Sequence, residues 1–331
     1  MDFVSHAETR RRGERRTTKG VKMTSKFLTA LSTSRFINKT SLENYHFKDD
    51  DYTQNVFGHK MCEKYVAMFD NGSGKELKTK ATAVNSSSML AYNFFHWISP
   101  ESAFKYGDVI YDKVVFEVKI PTISKSPAPA NMDVVLVSKD KSKWLLIESK
   151  FTEYVHHSAR KMLNLSRGYR DRDRYFFNAK SQRADIVRLI KDWYGKASKD
   201  RKNGRKEKYY DGVKQLLCHI IAMKNLMDPS AHSAIEKKFL SQNQFLTRDE
   251  FHALKTIEFV TLIFDPISDF EEHGAYVDYR SLCEDFKVTA KDIFSSFDVV
   301  PYSQMWNRIE GQIDCKLSEY LRDRYMRFAG A

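Results

Sequence analysis

Asp133, Glu148 and Lys150 are the residues of this chain whose types and spacing best suit chemistry done together. Asp133 lies in an apolar run with Met132, Val134, Val135 and Leu136, and Glu148 follows Leu145, Leu146 and Ile147. Between the runs stands Ser138-Lys139-Asp140-Lys141-Ser142. If Asp140-Lys141 is the turn of a hairpin, Lys139 faces Ser142 and Ser138 faces Lys143. The same register carried down the strands brings Asp133 opposite Glu148, with Cβ atoms about 4.5–5.5 Å apart on one face. Lys150 stands two residues past Glu148, so the period of two puts it on that face as well.

Opposed carboxylates repel, and a cation held between them removes the objection. Oxygen ligands with no His or Cys beside them suit Mg2+, with Mn2+ as a substitute, rather than zinc. As solvated residues on an exposed sheet face, the same three would mean little. The apolar neighbours argue against that, because strands buried on both faces leave a charge needing a partner or a metal.

The elements that position these residues are readable in outline. Ser86-Ser87-Ser88 offers an N-cap for a helix reaching residue 98, with Met89, Leu90, Phe94 and Trp97 on one face, ended by Ser99-Pro100. Strand signals follow at 114–120, 132–137 and 144–149. Residues 155–208 are polar and basic, with a helix at about 183–194 and a charge run at 196–208. An amphipathic helix is expected at 211–223, burying Val213, Leu216, Leu217 and Ile220. A buried strand at 257–264 is closed by Asp265-Pro266, and the tail from about 281 reads as helices, the last at 313–328. This is an α/β plan, a central mixed β-sheet flanked by helices with a basic helical insert and a helical C-terminal region. Its expected divisions are a basic flexible arm at 1–26, an N-terminal region at 27–85 packing on the core, the core at 86–265 with the insert at 155–208, and a helical region at 266–331.

The arrangement resembles the PD-(D/E)xK nuclease superfamily, whose restriction-endonuclease-like core sets a helix before three strands, with acids on the second and third, then a helix and a further strand. The likeness runs from about residue 86 to 265, with Asp133 as the aspartate and Glu148-Ser149-Lys150 as the Glu-x-Lys. Asn85-Ser86-Ser87-Ser88 with Asn93-Phe94-Phe95, Ala130-Asn131-Met132-Asp133 and Ile147-Glu148-Ser149-Lys150-Phe151-Thr152-Glu153 resemble, more narrowly, a group of restriction endonucleases. Tyr210-Asp211-Gly212-Val213-Lys214-Gln215-Leu216-Leu217 and Tyr320-Leu321-Arg322-Asp323-Arg324-Tyr325 fit the same group. Met132 stands where the motif has proline, a position that does not touch metal.

The resemblance implies a Mg2+-dependent endonuclease hydrolysing phosphodiester bonds in DNA. A general base alone supplies about 10²–10⁴ in rate, against the 10¹⁷ or so that such reactions need, so metal chemistry must carry much of the rest. Asp133 and Glu148 are the expected ligands, with the Ser149 carbonyl as a further oxygen and Lys150 orienting or deprotonating the attacking water. Glu117, on the neighbouring strand and facing away from Phe116 and Val118, is the choice for the superfamily's upstream acid, on the same or a second metal. Gln215 is the expected support from the following helix. His219, four residues on, reads as a hydrogen-bonded, partly buried histidine, and His156-His157 as solvated.

Charge agrees with a polyanionic partner: 55 Lys and Arg against 43 Asp and Glu give a net charge of +12 over 331 residues. DNA contacts are expected from Arg160, Lys161, Arg167, Arg170, Arg172 and Arg174, with Tyr169, Tyr175 and Phe176 interleaved to pack on sugars or bases, and from Arg201, Lys202, Arg205 and Lys206. A homodimer would let both strands be cut. Four scattered cysteines without a CxxC pair suit a reducing cytoplasm, and no apolar run approaches the roughly 20 residues of a membrane span. The alternatives are a structure-selective or RNA-directed nuclease, and a non-catalytic nucleic-acid-binding protein that keeps the fold. A membrane-surface role is the poorest fit, because the basic runs lack an apolar face.

Overall fold

The computed structural model describes residues 25–72, 77, 80–125, 128–155, 167–202 and 210–330, with side chains at all of these but 50, 167, 194–202 and 210–213. Most of the basic arm expected at 1–26 lies outside them. Helix α1 (Lys26–Leu31) begins at Ser25, whose Oγ accepts from the Leu28 amide at 3.2 Å. Phe27 anchors it on Phe270, Phe264 and Phe151, with ring centroids 5.1, 5.6 and 6.1 Å away. A two-residue hairpin, β1 (Leu42–Glu43) and β2 (His46–Phe47), and helix α2 (Glu63–Asp70) follow.

Helix α3 (Ser87–Phe95) starts where the serines predict, Ser86 Oγ accepting from the Met89 amide at 3.3 Å. It ends at Phe95 rather than at residue 98, and all its residues from Ser88 on are buried. It is a core helix covered on all sides, not a one-faced one.

Strands β3 (Phe104–Tyr106), β4 (Val109–Ile120), β5 (Ala130–Ser138), β6 (Lys143–Lys150), β7 (Thr256–Ile263) and β8 (Phe297–Pro301) lie side by side in chain order. Those from β3 to β6 are antiparallel, and β6, β7 and β8 are parallel. The hairpin has the register read from the sequence, pairing Val137 with Trp144 down to Val134 with Ile147. Its connection is the four residues 139–142, with the Lys141 amide donating to Ser138 O at 2.7 Å, and not a two-residue turn at Asp140-Lys141. Its turn is tied by Asp140, which accepts from Ser138 Oγ at 2.6 Å, Ser142 Oγ at 2.7 Å and the Ser142 amide at 3.1 Å. Those bonds, first the one from Ser138, hold the Asp140 carboxyl down at about 2.

The sheet's edges depart from the sequence expectation. Neither β3 nor β8 carried a pattern, and β8 falls in the tail read as wholly helical. It has five residues, includes Asp298 and ends on Pro301, too short for periodicity to register. Proline is tolerated there because an edge strand need not donate on its outer side. Helices α4 (Lys180–Lys202) and α5 (Tyr210–Met227) are longer than expected, and α6 (Pro229–Gln242) and α7 (Arg248–Ala253) lead into β7. Helix α8 (Glu272–Ala290) precedes β8, and α9 (Tyr302–Ile309) and α10 (Cys315–Arg324) complete the chain.

Side chains alternate along β6, so Ser149 points to one face and Glu148 and Lys150 to the other. On the first face Ser149 Oγ donates to Ser87 O of α3 at 3.2 Å and hydrogen-bonds with Tyr302 Oη of α9 at 2.7 Å. On the second lies α5. All of β6 from Trp144 to Lys150 is buried. Arg324, fully buried, ties the two ends of the chain together: Nη1 donates to Leu31 O at 3.1 Å, and Nη2 to Val84 O at 2.8 Å and Asn55 Oδ1 at 2.9 Å. Among the described residues no helix is long and apolar enough to cross a membrane.

Candidate active site

The ladders on both sides of β5 lapse at one place. The β4–β5 pairing passes from Phe116 with Val134 to Val118 with Met132, skipping Glu117 and Asp133. The β5–β6 pairing ends at Val134 with Ile147, one step short of Asp133 and Glu148. Glu117 has a φ of 55°, left-handed backbone that costs a residue with a side chain about 1–3 kcal/mol and gathers at functional sites. With the backbone pairing interrupted, the Asp133 carboxylate substitutes for it: Oδ2 accepts from the Ser149 amide at 2.6 Å.

On β6, Phe264 N donates to Lys150 O at 2.8 Å, so Lys150 turns its peptide groups towards β7. Ser149 turns its own the other way, towards β5, amide and carbonyl alike. The Ser149 carbonyl therefore faces the interval where the β5–β6 ladder has stopped.

Glu148 is 1% exposed. Its Oε1 accepts from Lys150 Nζ, which also donates to Gln215 Oε1 of α5 at 2.9 Å. Its Oε2 has no hydrogen-bond partner and lies 3.6 Å from His219 Nε2. His219 Nε2 in turn donates to Asn131 O at 3.1 Å, and the ring meets Phe259 edge-on at 5.6 Å.

The charges of this cluster are out of balance. Burial, and then the charge of Glu148, push the Asp133 carboxyl well above its ordinary range. Burial also raises Glu148, against the opposing pull of Lys150. Burial would lower Lys150, but Glu148, Glu153 and Asp133 together more than reverse this and hold it protonated. Burial and then Lys150 take His219 down to about 3, leaving a neutral imidazole. Two acids, Glu148 buried and Asp133 half-buried, thus lie beside Lys150, with Lys80 adding a weaker pull on Glu148. Further positive charge close by would stabilise both in their ionised forms.

A divalent cation fits these donors. The set is all oxygen, one buried carboxylate oxygen is unsatisfied, and the chemistry suits a hard ion. Among the described residues no three or more His, Cys, Asp or Glu side chains are grouped to hold a metal, so Asp133 and Glu148 stand as a pair. Glu117 is buried, at 4% exposure, and accepts from Asn131 Nδ2. Gly72 backs onto it so closely that a Cβ there would fall 2.9 Å from Glu117 Oε2.

The structure therefore brings together Asp133, Glu148, Ser149, Lys150 and Gln215, with Glu117 turned towards Asn131. Of the expected DNA contacts, Arg170 and Arg172 are exposed, and Arg174 is half-buried with Nε 3.2 Å from Asp171 Oδ2. Arg160, Lys161, Arg205, Lys206 and the His156-His157 pair lie outside the described residues, as do the side chains of Arg167, Arg201 and Lys202. The aromatic expectation is corrected: Tyr169 and Tyr175 are core residues, not stacking platforms. Tyr169 Oη hydrogen-bonds with Thr122 Oγ1 at 2.8 Å, and Tyr175 Oη donates to Tyr169 O at 2.5 Å. Sequence reasoning missed His219 and Asn131 as neighbours of the acids. The one available signal was that His219 follows Gln215 by four residues, on the same helix face.

A family model described as a restriction endonuclease associating with ARP matches residues 30–326. No curated protein and no solved structure matches.

Proposed function

Because this chain belongs to the family of restriction endonucleases associating with ARP, we propose that it is a Mg2+-dependent endonuclease that hydrolyses phosphodiester bonds in DNA as part of a defence system. The observation that carries the reading is Glu148, a buried carboxylate with one oxygen on Lys150 and the other unsatisfied, on the strand next to Asp133. Asp133, Glu148 and the Ser149 carbonyl would hold the ion, with Mn2+ as a substitute and Glu117, on the neighbouring strand, as a further acid. Bound there, the ion would lower the pKa of a water and neutralise charge on the phosphate.

The chain's own residues have separate tasks. Lys150 is held protonated by its acidic neighbours, which favours a role in orienting the water and balancing charge on the pentavalent phosphate over that of a base. Gln215 fixes its ammonium from α5 at 2.9 Å. Water attacks phosphorus, the bond to the leaving sugar oxygen breaks, and the proton lost by the water balances the one gained by that oxygen. The protein's positive charge, with Arg170 and Arg172 on the surface, supports salt-sensitive DNA binding. A homodimer working in the cytoplasm would place one centre on each strand.

The test incubates the protein with plasmid, linear duplex, single-stranded DNA and RNA in Mg2+, Mn2+ or EDTA. Cleavage of DNA with either metal but not in EDTA is expected, and Asp133→Ala and Lys150→Ala should lose it while keeping salt-sensitive binding. Variants that cut as well as the parent would refute the assignment of these residues. Binding without cleavage under every condition would favour a non-catalytic DNA-binding protein, and preferential cutting of RNA an RNA-directed nuclease.

A further inference from the structure

Resting on the nuclease reading above, we propose that His219 is a positioning residue that sets the separation of the two acid-bearing strands and so shapes the cation site. The backbone ladder between β5 and β6 ends at Val134 with Ile147, and beyond it the strands that carry Asp133 and Glu148 are joined by the Ser149 amide on the Asp133 carboxylate in place of backbone pairs. His219 spans that interval from α5. Its Nε2 donates to Asn131 O on β5 at 3.1 Å and faces Glu148 Oε2 on β6 at 3.6 Å. A carbonyl can only accept, so Nε2 carries the hydrogen and the ring nitrogen left bare is Nδ1.

A histidine kept for packing alone would not be built this way. Nδ1 is buried without a partner, a penalty that a leucine of similar bulk would avoid. What the imidazole adds is one N–H directed into the opening between two strands, tied to the backbone two residues before Asp133 and turned to the unsatisfied oxygen of Glu148. Together with Gln215 on Lys150 Nζ, one helix supports both members of the Glu148–Lys150 pair, one turn apart. Such outer partners commonly contribute 10–100-fold to metal affinity.

The test measures Mn2+ binding by titration calorimetry, which does not depend on turnover, with Asp133→Ala as the control that assigns the binding to this site. His219→Leu and His219→Asn, whose amide falls short of the Nε2 position, should bind Mn2+ about 10–100-fold more weakly. His219→Gln, which returns an N–H near that position, should bind close to the parent. In cleavage assays the Leu and Asn variants should need correspondingly more Mg2+ for half-maximal rate and recover much of the rate at saturation. Equal Mn2+ affinity in the parent and in the Leu and Asn variants would overturn the role of His219 while leaving the nuclease reading intact. If His219→Leu does not fold, the Asn and Gln variants decide in the same way, and equal affinities there overturn it. A parent that takes up no Mn2+ overturns the metal-dependent nuclease itself, and this role with it.

Discussion

Asp133→Asn should make the metal-free protein more stable while abolishing cleavage. In the parent the buried Glu148 and the half-buried Asp133 lie beside Lys150, and that lysine donates to Glu148. Carboxylates on opposed strand positions lie about 5 Å apart, and at an effective dielectric of about 20 they repel by roughly 3 kcal/mol. Lys150 offsets part of this, so removing the Asp133 charge should return about 1–3 kcal/mol. Asparagine keeps an oxygen to accept from the Ser149 amide, so the bond at 2.6 Å need not be lost. The pH dependence follows from the raised carboxyl. Above its ordinary value of 3.8 the unfolded chain releases a proton that the folded chain retains. Stability of the metal-free parent therefore falls as pH rises from about 4, and the Asn variant lacks that fall. Denaturation in EDTA at pH 5 and pH 8 should show a gap that widens at the higher pH, about 2–4 °C in Tm per kcal/mol or somewhat less at this length. Glu148→Gln should move the other way, losing about 3–5 kcal/mol, because it leaves the buried Lys150 without its closest counter-charge. Excess Mg2+ at about 100 times its Kd should stabilise the parent by roughly 2.7 kcal/mol and the Asn variant hardly at all. An Asn variant less stable than the parent in EDTA, or one that gains equally from Mg2+, would refute the reasoning.

Three further outcomes test the scaffold. Arg324→Lys should lose about 3 kcal/mol or more in urea denaturation, since an ammonium does not reproduce the planar fork that reaches Leu31 O, Val84 O and Asn55 Oδ1 and leaves buried acceptors unpaired. Asp265, buried behind α9, is raised from 3.8 to about 6 by burial, against its bonds from Ser303. The folded chain then holds a proton that the unfolded chain has released between about pH 4 and 6, so stability should fall by up to roughly 3 kcal/mol across that window, and Asp265→Asn should flatten this part of the profile. Gly72→Ala puts a Cβ 2.9 Å from both Glu117 Oε2 and Phe69 O; a loss of about 1–3 kcal/mol is expected, with reduced cleavage if Glu117 serves the centre.

The hairpin was legible because two independent regularities agree on it. Period-two placement gives the register of β5 on β6, although the connection is the four residues 139–142 and not the two-residue turn expected at Asp140-Lys141. The apolar residues flanking both acids announce burial on two faces. The start of α3 was legible from a capping serine, and α5 from its buried stripe. What escaped the sequence shares a physical reason. Strand β8 is five residues long and β3 three, so neither offers enough periods to count. Tyr169 and Tyr175 stand among arginines, and composition there describes the neighbours and not the two rings, which turn inward, Tyr169 onto Thr122 and Tyr175 onto the Tyr169 carbonyl and Phe177.

The site's finer geometry escaped for a different reason, which bears on how the sheet makes room for chemistry. A regular ladder would have used the backbone groups of Asp133 and Ser149 to pair the strands and left no opening between the acids. The left-handed Glu117 breaks the pairing of β4 with β5, the Asp133 carboxylate takes the Ser149 amide in place of a carbonyl, and β6 continues in step with β7 as far as Lys150 with Ile263. Strand β6 thus keeps its partner β7 while β5, still paired with β4 on either side of Asp133, parts from β6, and the acids sit at the seam. Propensity disfavours φ above zero for glutamate, so a pattern read from residue types will draw the strand straight through this point. An irregularity that local preference opposes is maintained by what surrounds it, here Asn131, Gly72 and the buried faces of β4. The departure from sheet regularity belongs to the candidate site, because without it Asp133 would have no reason to reach across to β6.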